Sequence, residues 1–161
     1  MKYCPKCTTP LIEKSIRDKI RLACADKTCG YIYWNNPIPV VAIIVETEEG
    51  IVLAHNVAAP KGIFSIITGF LEADETPEFA AQRETKEELG IDSISTSFLG
   101  AYPFAKANQI LLAYHIYGKG NIQLNEELDE FRIIQKEQLY GWTETGGYAV
   151  GEWLLRLNVL A

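Results

Sequence analysis

The chain has 161 residues, 48% of them hydrophobic and 22% charged, the composition of a globular protein with one ordinary domain and room for a small appendage. No apolar run reaches the 18 or so residues of a membrane span, and the N-terminus, MKYCPKC, lacks an apolar signal core, so a cytoplasmic protein with no membrane partner is expected. The net charge of -6 is uneven: residues 1–36 hold seven Lys/Arg against three Asp/Glu (+4), and the rest hold eight against eighteen (-10). So acidic a body argues against sequence-reading DNA binding by that part and suits a site that loads cations.

All four cysteines, Cys4, Cys7, Cys24 and Cys29, lie in the basic N-terminal piece. Two close pairs sixteen residues apart, without a signal peptide, point to Zn²⁺ held by four thiolates rather than to disulfides. Residues 1–36 therefore read as a zinc ribbon, with short strands at Ile20–Ala23 and Tyr31–Trp34 and the metal replacing a core that so small a piece cannot build. Asn35-Asn36-Pro37-Ile38-Pro39 reads as a linker, since two prolines disfavour both helix and central strand. Residues 37–161 form the second domain.

That domain opens with a β-branched run, Val40–Glu46, expected as a buried strand. A turn at Thr47-Glu48-Glu49-Gly50 makes a hairpin with Ile51–His55. Pro60-Lys61-Gly62 breaks the chain before another strand at Ile63–Thr68. Thr76 suits a helix cap, Pro77 the first helical position and Gly90 a left-handed stop, so a helix spans Pro77–Leu89. Strands follow at Ser93–Leu99 and Gln109–Tyr117, a turn at Gly118-Lys119-Gly120, and a short strand at Phe131–Ile134. After Gly146-Gly147, Val150, Trp153, Leu154 and Leu157 carry the buried stripe of a final helix. Mixed strands with two flanking helices predict an α/β sandwich.

The segment Gly69–Ile91 carries the chemistry. Glu84, Glu87 and Glu88 stand at i, i+3 and i+4 and share a helix face. A solvated acidic face is what such charge runs mostly mean. The wider spacing, G-x5-E-x7-R-E-x2-E-E-x-G-I from Gly69 through Glu75, Arg83 and Glu84 to Gly90, has a chance frequency of about 10⁻⁶. Bound Mg²⁺ or Mn²⁺ would offset the repulsion among these carboxylates and could clamp a phosphate bridge.

This segment closely resembles the Nudix box, G-x5-E-x7-R-E-U-x-E-E-x-G-U, with U a bulky aliphatic. Every fixed residue is present, and Thr85 stands at the first U position. The resemblance implies a Nudix α/β/α sandwich with a mixed sheet behind the small zinc ribbon. It implies metal-dependent hydrolysis of a nucleoside diphosphate linked to another moiety. It assigns Glu84, Glu87 and Glu88 to the metals, with the Gly69 carbonyl as a further ligand, and Glu75 and Arg83 to holding the loop on the helix. A ribbon ahead of such a domain is similar to the NADH pyrophosphatase group and to a group acting on FAD or ADP-ribose. The NADH group's SQPWPFPxS is matched at Pro103 and Phe104, with Tyr102 replacing Trp. Tyr102, Phe104 and Phe64 are the candidate substrate contacts, and core aromatics are the competing reading of the first two. Glu127-Leu128-Asp129-Glu130-Phe131 resembles that group's E-x-x-E-A. Glu130 is the first candidate there for a further ligand or general base and Glu127 the second; an acidic surface loop is the plainer reading. His55 and His115 read as structural. A nucleotide is the expected substrate, a homodimer a further expectation, and RNA binding through the basic ribbon, toward nucleotide-capped 5′ ends, the alternative function.

Overall fold

The computed structural model describes residues 1–136 and 138, so the final helix expected around Val150–Leu157 lies outside the described residues. The chain divides between Pro37 and Ile38 into two compact units.

In the first unit, β1 (Leu11–Ile16), β2 (Lys19–Cys24) and β3 (Ile32–Tyr33) form an antiparallel sheet in that order. Arg17 and Asp18 link β1 to β2 with both φ angles positive, 50° and 60°, the left-handed pair that a tight two-residue hairpin requires. The buried apolar residues of this unit are Cys4, Ala23 and Cys24.

The second unit holds β4 (Ile38–Thr47), β5 (Gly50–Asn56), β6 (Ile67–Phe70), α1 (Pro77–Leu89), β7 (Asp92–Phe104), a 3₁₀ turn (Ala105–Ala107), β8 (Gln109–Lys119) and β9 (Leu128–Ile134). The sheet order is β7-β8-β4-β5-β9, and β6 also pairs with β4. The β4–β8 pairing is parallel and the others antiparallel, so the sheet is mixed. Against one face lies a core of Val41, Ile43, Val45, Val52 and Ile116 with Ala80, Ala81 and Leu89 of α1. On the other, Ala42, Ile44, Leu53, Phe64, Ile66 and Leu99 pack together. This is the mixed sheet that the resemblance implies, with one α-helix among the described residues.

Several boundaries differ from the sequence expectation. β4 begins inside the expected linker, and Pro39 sits in the strand. Ile38 donates its N–H to Asn108 of the β8 side, so the missing N–H of Pro39 falls on the opposite side, where pairing with β6 starts only at Val40. The strand expected at Ile63–Thr68 lies later, at Ile67–Phe70, because Ile63 closes a turn onto the Pro60 carbonyl and Ser65 makes only an isolated bridge to Ala54. Gly118 does not turn. It pairs with Ser93 inside β8, and a Cβ there would strike Ile91, so this glycine serves close packing. β7 runs on to Phe104 across bulges at Ser93/Ser95 and Phe98/Gly100, beyond the expected Ser93–Leu99. β9 starts at Leu128, so Glu130 is a strand residue rather than part of an acidic loop.

Candidate active site

α1 begins and ends where its caps require. The Thr76 hydroxyl accepts from the Phe79 N–H at 3.2 Å, Pro77 takes the first turn, and Gly90 at φ 70° returns its N–H to the Lys86 carbonyl. Thr85 is fully buried in an aliphatic slot because its hydroxyl donates to the Ala81 carbonyl at 2.8 Å, leaving only its methyl group to pack. Fixing this face inward turns Glu84 and Glu88 toward β6.

Arg83 ties the segment together. It grips Glu75 with Nε and Nη2 at 3.1 and 2.9 Å, and Nη2 also reaches the Phe70 carbonyl. Its Nη1 donates to Glu84 and Glu87, both at 2.9 Å. Glu75 in turn accepts the Glu72 N–H at 2.6 Å, so the loop before the helix is fastened to the helix through one carboxylate. The Arg83 guanidinium holds the Glu75 carboxyl below the usual range.

A cleft of about 550 Å³ opens beside this fastening. Its acidic side is Glu84, Glu88, Glu72 and Glu127; Val40, Leu111, Phe70 and Phe104 give it an apolar side. Gly69 forms part of the wall, and a Cβ there would collide with the Glu84 carboxylate, so only glycine lets that carboxylate lie against the β6 backbone. Burial pushes the Glu88 carboxyl up to about 8, with Glu84, Glu127 and Glu87 adding repulsion. Glu84 is raised for the same first reason, against the pull of Arg83. An excess of crowded carboxylate on one cleft is the oxygen donor set of a hard divalent cation, and the site fits one.

Not every residue singled out by sequence joins this cleft. Glu87 is half-exposed and turned to Arg83. Glu130 is absent from the lining: it sits on β9 opposite His55, exposed, 3.6 Å from Arg132, and Glu127, three residues earlier, lines the cleft instead. Phe64 is buried, 3% exposed, beneath the Arg132 guanidinium, 3.8 Å from its ring centroid, and beside His55. Tyr102 packs on the second core with its hydroxyl toward the Leu99 carbonyl, while Phe104 reaches the cleft. Sequence reasoning missed Phe70, Asn56, Ser65, Thr68 and Gln109, which also line the cleft. Phe70, next to the box glycine, was the one with a legible position. His55 bonds Asp129 at 2.6 Å and Pro60 at 3.2 Å, and His115 bonds Glu46 at 2.8 Å, so both have structural partners.

In the first unit the four cysteine sulfurs all lie within 4.8 Å of one another. Cys4–Cys29 and Cys7–Cys24 are 3.6 and 3.5 Å apart. A disulfide needs about 2.05 Å, whereas zinc bonds of about 2.3 Å set tetrahedral sulfurs roughly 3.8 Å apart. Thr9 holds the Cys7 thiol down to about 6 through its hydroxyl and amide, while burial pushes Cys24 up to about 12. The cluster is compatible with a zinc ribbon.

Residues 36–154 match the NUDIX domain, nearly three-quarters of the chain. The chain belongs to the NUDIX family. Among similar curated proteins are the NAD-capped RNA hydrolases NudC of Vibrio atlanticus (strain LGP32), 29% identical over 71% of this chain and 41% of that protein, and of Vibrio parahaemolyticus serotype O3:K6, 27% identical over 84% and 50%. The chain thus spans half or less of the length of these relatives. Among solved structures, a NUDIX hydrolase from Nitrosomonas europaea superposes with a TM-score of 0.70 at 25% identity, over 90% of this chain and 83% of that one. The MutT protein of Methanosarcina mazei Go1, at 0.62 and 20% identity over 78% and 99%, shares the fold. Among the described residues no helix is long and apolar enough to cross a membrane.

Proposed function

We propose that the unit from Ile38 onward hydrolyses the diphosphate of a nucleoside diphosphate linked to a second moiety, of the NADH, FAD or ADP-ribose type, with Mg²⁺ or Mn²⁺. The observation that carries this is the convergence of Glu84, Glu88 and Glu127 with Gly69 on one cleft that also has an aromatic side. Glu84, Glu88 and Glu127, with the Gly69 carbonyl and with Glu87 once it turns from Arg83, would hold the cations. When bound, these would neutralise the diphosphate charge and lower the pKa of water. The chain's own groups do the rest. Arg83 and Glu75 fix the loop on the helix, and Phe104 and Phe70 offer faces for a flat base. Glu127, which lines the cleft where Glu130 does not, takes the role of further ligand or general base in this reading. Zn²⁺ on Cys4, Cys7, Cys24 and Cys29 is proposed as a structural ion.

The names of the NudC relatives favour an extension to NAD-capped RNA, for which the basic first unit supplies a rationale. Four uncrosslinked thiols suit a reducing compartment, so the cytoplasm is the proposed location. The exposed Ile94 and Phe98 of the edge strand β7 support a homodimer, which sedimentation at micromolar concentration tests; a monomer at all concentrations rejects it. The reaction is tested with NADH, NAD, FAD, ADP-ribose and a dinucleoside polyphosphate, each with Mg²⁺ and Mn²⁺, in heavy-oxygen water. Label on one phosphate of a mononucleotide product is expected. No turnover of any of the five overturns the proposal.

A further inference from the structure

The face of β2 that carries Lys19 and Arg21 has a composition the cleft chemistry does not use. The register pairs Arg21 with Lys14 across the hairpin and Lys19 with Ile16, so these side chains share one side of the sheet. Trp34, just past β3, meets Arg21 there: the guanidinium lies 4.8 Å from the indole centroid, and Arg17 from the hairpin tip lies 5.7 Å from the same ring. Arg21 is anchored by Nη1 donating to the Trp34 carbonyl at 2.8 Å, yet its Nε is buried without a partner. A hollow of about 450 Å³ runs beside Lys19, Arg21, Tyr33 and Trp34. Trp34 is 39% exposed although a ring of this size normally goes under cover. Of the carboxylates in this hairpin, Glu13 pairs with Leu22 and so points to the other face, leaving Asp18 at the tip.

We infer that this face of the ribbon binds single-stranded RNA, with Trp34 and the Arg21 plane stacking an unpaired base and Arg17 and Lys19 holding the flanking phosphates. The inference rests on the proposed action on capped RNA and names the surface that takes the RNA chain. Stacking on aromatic and guanidinium planes requires a base free of its partner, which selects single strands over duplex. Lys19 is about 6.6 Å from Arg21 along β2, which suits a phosphate flanking a base stacked on the Arg21 plane. Lys14 is already spent on the Cys24 carbonyl, with Nζ at 2.7 Å, and contributes field rather than a contact. With four thiolates and one Zn²⁺ counted, the unit remains at roughly +2, enough to attract a polyanion.

The test is fluorescence anisotropy with an uncapped single-stranded RNA of about twelve nucleotides and the zinc-loaded full chain. Binding should weaken about sevenfold between 50 and 200 mM salt, as two phosphate contacts dictate at a slope near -0.7 each. Trp34→Ala and the double variant Arg17→Glu/Lys19→Glu should each bind at least tenfold more weakly, with zinc content and NADH turnover unchanged. Trp34→Phe should restore part of the loss, which a merely unfolded ribbon would not allow. No binding at 50 mM salt, variants that bind like wild type, or duplex RNA bound equally well would each overturn the inference. If RNA binds by this face while none of the dinucleotides turns over, only the proposed reaction fails; if NADH is cleaved and RNA is ignored, only the ribbon surface fails.

Discussion

The two units solve the same folding problem by different means. The ribbon buries Cys4, Ala23 and Cys24 and little else that is apolar, whereas the body buries two layers of aliphatic side chains on either face of its sheet. In the ribbon the centre is the cysteine cluster, whose four sulfurs lie close enough to share one cation. In the body the core is dry, and the crowded charge has been moved out to one cleft on its surface. Each unit thus gathers its donor atoms in one place, carboxylates in the cleft and sulfurs in the ribbon, but only in the ribbon do those donors also form the core.

This contrast can be broken by removing one ligand from each unit. Glu88→Gln should lower turnover by at least 10²–10³-fold while the melting temperature holds or rises, since a buried, crowded carboxyl is relieved. Activity within a few-fold of wild type would dismiss Glu88 from the site. Cys4→Ser should do the reverse, abolishing zinc binding and amide protection in residues 1–37 while NADH turnover by the body changes by less than about threefold; protection retained without zinc would show that the ribbon has some other core. Gly69→Ala should cost roughly 10–100-fold in kcat, because the Glu84 carboxylate is displaced from the β6 backbone by about a methyl group. An unchanged kcat would mean that Glu84 need not lie there. The smallest effect is on pH. Asp129 is the main cause of a raised His55 pKa, with the Pro60 carbonyl and Glu130 assisting against burial. A raised histidine stabilises fully below its ordinary value of 6.5 and loses that contribution as pH rises through the folded value. Melting curves should therefore show Asp129→Asn lowering Tm by a few degrees near pH 5.5 and by less near pH 8; a constant gap would exclude the ionic contribution.

The helix and its carboxylates were legible to the residue because Thr76, Pro77 and Gly90 are local signals and the box is a fixed spacing. What escaped was set by partners distant in sequence. Pro39 disguises the first residues of β4, since nothing nearby reveals that its missing N–H faces a side without pairing at that level. Gly118 looks like a turn residue until Ile91 is seen against it. The motif ranks Glu130 ahead of Glu127, but a β9 start at Leu128 and a bulge at His55/Asn56 bring Glu127 to the cleft instead. Phe64 and Phe104 look alike in sequence, and only their distant neighbours show that one is buried under Arg132 while the other reaches the cleft.

The parallel pairing of β4 with β8 has a kinetic corollary. Its partners are roughly 70 residues apart, whereas the ribbon's ladders close within thirty. Loop closure over that distance is slow, and during synthesis the ribbon leaves the ribosome before β8 exists. The hypothesis is that the ribbon acquires its metal and folds first, while the apolar run Val40–Val45 of β4 waits exposed. Pulsed hydrogen exchange during refolding with zinc should then protect the Leu11–Cys24 amides before those of Val41–Val45, and simultaneous protection would refute that order.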